Sequence, residues 1–210
     1  LAIALTGSDE ERAAMRREVN RQHRQVRSGD GAPVAYDAMD PGLQLWVAAC
    51  LYKGVEDIQA VLGIEHDDDT AERLYRYCAR LGTTLQVRPS QWPPTRAAFR
   101  EYWDANVATI EMDDLTRSYL RGIARADFLP APLPRLIGPL VELQTAGFLP
   151  PAFREELGLP WDARRQRAFD VMVQSWAWVD RRLPAPIRRF PFNTYRWDTR
   201  RRIRRGRAIV

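Results

Sequence analysis

Apolar residues return every three or four positions along most of this chain, which is the period of an amphipathic helix. A period of two shows only near residues 84–87, where the pattern predicts at most a short strand. The reading is an all-α, bundle-like domain of about eight helices with little or no strand. Predicted helices cover residues 9–27, 41–53, 55–62, 70–81, 112–124, 134–145, 150–157 and 162–182, and another opens at Thr95. Residues 1–5 are apolar and read as the end of a helix begun earlier. Residues 128–134 hold three prolines and are expected to be extended.

The first long helix is the best marked. Ser8 and Glu11 make a capping box, each side chain satisfying the other's backbone amide. Met15, Val19, His23 and Val26 then share one face, while Arg12, Arg16, Glu18 and Arg21 lie on the opposite, solvated one. His23 therefore points inward, and it reads as either a core histidine or a metal ligand. Residues 28–33 form a Gly-rich turn, and Asp40-Pro41 supplies an N-cap followed by proline at the first helical position. The helix over 41–53 is apolar nearly all round, which predicts a place at the centre of the fold. Gly54, Gly82 and Gly147 read as helix stops. Farther along, the spacing turns Leu74, Tyr77, Cys78 and Leu81 inward. It does the same for Phe99 and Trp103, for Leu115, Tyr119 and Ile123, and for Phe169, Met172, Val173, Trp176 and Val179.

Composition adds bounds. The 210 residues suffice for one domain with a sizeable core, read here as a helical domain over 1–183. A Pro/Arg-rich tail follows over 184–210, its first half packed on the domain and its end frayed. The longest unbroken apolar run, 45–52, is far short of the roughly 20 residues that cross a bilayer. No secretory leader opens the chain, so a soluble, cytoplasmic protein is expected. The chain opens on Leu1 inside an apolar stretch, which suggests a preceding N-terminal part. Cys50 and Cys78 lack metal or redox spacing and read as buried, inert thiols. The net charge of +5 hides an asymmetry: from Arg181 onward eleven arginines face one acid, Asp198, while the rest of the chain is mildly acidic.

Several chemistries leave no trace. There is no phosphate-binding glycine loop and no nucleophile elbow, and two histidines are too few for a carboxylate–histidine cage. His66 sits in an acidic HDDDT stretch that reads as an ordinary helix entry capped by Asp69 or Thr70.

Three stretches in order carry a resemblance: V-N-x-x-H-x-x-V-R over 19–27, Y-x-A-x-D-P-x-L-x-x-W-V over 36–47, and R-R-F-P-F-x-x-Y-x-x-D-x-R-R-R over 188–202. Together they resemble the MpaB-like oxygenases, the DUF2236 family, which is related to the catalytic domain of the rubber oxygenase (latex-clearing protein). The resemblance implies an all-α fold around haem b and an oxidoreductase that uses dioxygen on an apolar, isoprenoid or lipid-like substrate. It implies that His23 is the proximal iron ligand, with Arg27, Tyr36 and Trp46 as further cofactor-binding residues. A neutral imidazole is the right donor for that role. Two departures stand beside it. The family's second histidine, directly after the Trp-Val pair, is Ala48 here, and the family's upstream basic segment falls before Leu1. The alternative is a non-catalytic α-helical module that binds an apolar ligand, or an anionic surface through its Arg-rich tail. Peripheral membrane contact through that tail is a further expectation; nucleic acid is not expected as a partner.

Overall fold

The computed structural model describes residues 2–32 and 35–209. Leu1, in the predicted upstream helix, and Pro33, at the end of the Gly-rich turn, lie outside them. The described residues are all-α. In chain order the helices are α1 (Ala2–Thr6), α2 (Asp9–His23), α3 (Pro41–Val61), α4 (Asp68–Cys78), α5 (Arg80–Thr83) and α6 (Arg96–Val107). They continue with α7 (Asp114–Ala124), α8 (Leu133–Phe148), α9 (Pro151–Glu156), α10 (Ala163–Arg182), α11 (Ala185–Arg188) and α12 (Phe192–Arg204). Residues 84–87, the possible strand, form a turn instead, and the one β-type pairing among the described residues is a bridge between Arg27 and Asp37. Residues 128–132 turn rather than extend, and Leu133 already starts α8.

The chain divides into two compact units. The first comprises Leu1–Glu56, Ile64–Asn106 and Leu183–Val210; the second comprises Asp57–Gly63 and Val107–Arg182. In the first unit the core gathers Leu45, Ala48 and Ala49 of α3 with Cys78, Leu81 and Val87, and with the rings of Tyr52, Tyr75, Trp92 and Phe99. Tyr52 meets the Phe99 ring edge-on at 4.8 Å and the Tyr75 ring at 5.1 Å, contacts worth about 0.5–1.5 kcal/mol each beyond area burial. Burial pushes the Cys78 thiol up to about 11, so it stays protonated and packs as a small hydrophobe.

Three glycines do something other than stop helices. α3 runs straight through Gly54, because a glycine in a helix interior costs only about 1 kcal/mol. The Tyr52 hydroxyl donates to Glu56 across that position at 2.8 Å, and Arg96 lies 3.7 Å from the same carboxylate. Gly82 is buried within α5, and a Cβ there would stand 3.1 Å from the Ala48 and Val87 side chains. Gly147 lies inside α8, where a Cβ would overlap the Phe169 ring at 2.1 Å. Both are close-approach glycines.

Inward faces also shift. α3 buries only one side, and Leu43, Val47, Cys50 and Leu51 remain exposed, so neither a central position for the whole helix nor a buried Cys50 holds. Tyr75, not Tyr77, is the buried tyrosine of α4, whose N-cap is Asp67 rather than Asp69 or Thr70. On α7 the expected inward residues Leu115, Tyr119 and Ile123 are 80%, 68% and 42% exposed. The opposite side is taken by Arg117 and Arg121, which donate to the Glu156 and Leu157 carbonyls at 2.9 and 2.8 Å. Those carbonyls end α9 and have no helical partner of their own, so satisfying them outranks burying α7's greasier face. On α10, Phe169 and Val173 are buried as expected, with Ala177, while Trp176 and Val179 are exposed. In the same unit Glu142 of α8 accepts from Arg125 at 2.7 Å and from Arg165 of α10 at 2.9 Å.

Candidate functional site

The site is built from the start of α2. Ser8 accepts the Glu11 amide at 3.2 Å and Glu11 accepts the Ser8 amide at 2.8 Å, so the capping box stands as the spacing predicts. Glu11 is buried, and its second oxygen takes the Arg200 guanidinium of α12. That bond, with the Ser8 amide, holds the Glu11 carboxyl below its ordinary value despite burial. Arg16, read as solvated, reaches across to the α5 end, where its Nε donates to the Thr84 carbonyl at 3.0 Å.

α2 ends four residues earlier than its periodicity predicts. Beyond Arg24 the strand-like pairing wins: the Ala38 amide donates to the Val26 carbonyl at 2.9 Å and the Ser28 amide to the Tyr36 carbonyl at 2.7 Å. Val26 leaves the helix and is exposed, so it does not extend the inward stripe. Arg27 pairs with Asp37 and Ser28 with Tyr36 across this bridge, and the side chains of Arg27 and Tyr36 are both exposed. The Asp40 carboxylate then accepts the Leu43 amide at 2.8 Å to open α3. Gln44 ties that turn down, donating to the Ala38 carbonyl at 2.9 Å and accepting the Gln86 amide at 2.9 Å. One turn on, Trp46 stacks on Trp103 of α6 with centroids 5.0 Å apart.

The three stretches singled out by sequence all lie in the first unit. The bridge joins the first to the second, while the third packs on the start of α2 through the Glu11–Arg200 pair, before the first stretch begins. His23 closes α2, half-buried, and its Nδ1 is buried without a hydrogen-bond partner among the described residues. One turn before it, the Oδ1 of Asn20 is buried and unpartnered as well. An unsatisfied buried polar atom costs about 1–3 kcal/mol, and native folds keep few of them. Sequence reasoning passed over Asn20; its place three residues before His23 in the motif was the available signal.

No cluster of three or more His, Cys, Asp or Glu forms among the described residues, so a metal ion held by protein ligands alone does not fit. A haem brings four nitrogens of its own and asks the protein for a single axial donor, which one open imidazole provides. His66 lies on the exposed loop before α4. Ala48 is fully buried against Gly82, and an imidazole at that position would collide with α5.

A family model described as ER-bound oxygenase mpaB/B'/Rubber oxygenase, catalytic domain, matches residues 1–178. Two curated relatives, uncharacterised proteins of Mycobacterium bovis and Mycobacterium tuberculosis, are each 44% identical over 210 residues, covering all of this chain and 82% of their own length. No solved structure matches. An all-α fold, together with a match over most of its length, makes this chain a member of the mpaB/rubber oxygenase catalytic-domain family.

Proposed function

We propose that this chain is a haem b-dependent oxygenase acting on an apolar, isoprenoid- or lipid-like substrate with dioxygen, and that His23 is its iron ligand. The observation that carries the reading is the Nδ1 of His23, buried without a hydrogen-bond partner among the described residues, as is the Oδ1 of Asn20 one turn earlier on the same helix. Nε2 would face the iron. Nδ1–H would donate to Asn20 Oδ1, a pairing that fixes the ring's orientation and satisfies both orphan atoms. Arg27, which makes no ion pair among the described residues, would hold a propionate, and Tyr36 on the other strand of the bridge would be a further cofactor contact. Trp46 and the exposed Leu43, Val47 and Leu51 of α3 supply the apolar wall that a greasy substrate needs. When bound, the haem supplies activation of dioxygen for oxidative cleavage of a C=C bond.

Absorption spectra of the purified chain, as isolated and after haem addition, test the assignment. The expected result is a Soret band that His23→Ala abolishes or shifts and His66→Ala leaves alone. A band unchanged by His23→Ala overturns the ligand. Absence of any bound haem leaves the apolar-ligand module as the function.

A further inference from the structure

The C-terminal stretch, expected to pack on the domain with its first half and to fray at its end, is helical through α11 and α12. One side faces the domain: Arg196 donates to the Thr6 carbonyl at 3.3 Å, Arg200 pairs with Glu11, and Ile203 is half-buried. The stretch also leaves Ile187, Phe190, Phe192, Tyr195 and Trp197 between 53% and 64% exposed, five large apolar or aromatic residues within eleven positions. Nine arginines follow Leu183, against the single acid Asp198, which Arg202 already engages at 2.6 Å. Arg188, Arg189, Arg204, Arg205 and Arg207 have no carboxylate partner among the described residues, and Arg201 lies over the Trp197 ring at 5.4 Å.

We propose that the exposed side chains of this stretch, from Ile187 to Arg207, dock the protein on an anionic phospholipid surface. Exposed aromatics flanked by unpaired arginines match the two layers of a bilayer interface. The rings and Ile187 enter the zone between headgroups and acyl chains, and the guanidiniums meet lipid phosphates. Charge complementarity selects an anionic surface, because the one acid of this stretch, Asp198, is already engaged by Arg202. A polynucleotide would satisfy the arginines and stack on Tyr195 and Trp197, but it would leave Ile187 and the Phe190–Phe192 pair in water. The bilayer accounts for both sets. The inference stands apart from the haem assignment and survives its failure.

Co-sedimentation of the full chain with vesicles tests it. Binding to phosphatidylcholine vesicles containing phosphatidylglycerol is expected, falling steeply with added salt and absent from pure phosphatidylcholine. Arg201→Gln and Arg204→Gln should each lower partitioning about fivefold, and Phe192→Ser about tenfold, with far-UV circular dichroism unchanged. Brominated lipid should quench the wild type more than Trp197→Phe, a readout that mere misfolding would not produce. Equal binding to neutral vesicles, or none to anionic ones at low salt, overturns the proposal. So does single-stranded DNA binding that Phe192→Ser leaves intact, or a concentration-dependent dimer that the same substitution dissolves.

Discussion

Glu142 shows how a single side chain can hold several helices. Its carboxylate is buried on α8 between Arg125 and Arg165, two hydrogen-bonded guanidiniums that reach it from the end of α7 and from α10. Burial pushes the carboxyl up, but the two arginines together outweigh it and hold it below its ordinary value. A carboxylate depressed in the folded state adds stability that is complete above the unfolded value, roughly pH 4, and is lost as pH falls toward the folded one. Thermal melts of wild type should therefore drop steeply below about pH 4, and Glu142→Gln should flatten that limb while lowering stability at neutral pH. A wild-type profile with no acid limb, or one identical to the variant's, would remove the pair from the account. Ala48 supports a second prediction at this scale. Restoring the family's histidine with Ala48→His should cost roughly 1–3 kcal/mol by overpacking against Gly82, and it should not add a haem ligand. The sequence shows the alanine; only the neighbouring helix shows why an imidazole has no room.

Among the elements, two helix-interior glycines of similar sequence appearance should respond with opposite signs. Nothing stands within 4 Å of a Cβ on Gly54, so Gly54→Ala should stabilise α3 by about 0.5–1 kcal/mol through backbone entropy alone. Gly147 abuts the Phe169 ring, so Gly147→Ala must displace α10 or reorient the ring and should cost roughly 1–3 kcal/mol. Denaturant midpoints of the two variants check the pair, and equal signs would contradict the packing described. The starts of α2 and α3 were legible because their signals are local. The Ser8–Glu11 box lies within four residues of the amides it satisfies, and so does the Asp40 cap. Helix ends and inward faces were less so. α2 gives up its last predicted turn to a bridge with residues ten positions away, and α7 turns its apolar face outward to feed carbonyls about 36–39 residues on.

Across the whole molecule, the first unit closes by bringing the chain's end back to its beginning. Arg200 and Arg196 reach α2 and α1 from 189 and 190 residues away, although the family match ends at residue 178. Removing residues 183–210 should therefore lower the melting temperature rather than leave it unchanged, because it strands a buried Glu11. A double-mutant cycle of Glu11→Gln and Arg200→Gln should return a coupling of about 0.5–3 kcal/mol; zero coupling would make the contact incidental. Legible along the chain were the all-α class, the capped entries of α2 and α3, the three motif stretches and the loop that carries His66. These rest on local hydrogen bonding and on spacing within a few residues. Packing settled the rest: three glycines are not helix stops, some helix faces are covered and others not, the arginine tail is helical, and the Nδ1 of His23 and the Oδ1 of Asn20 are buried without partners among the described residues. Each of those depends on which distant backbone or side chain arrives at the same place, and no local period encodes that.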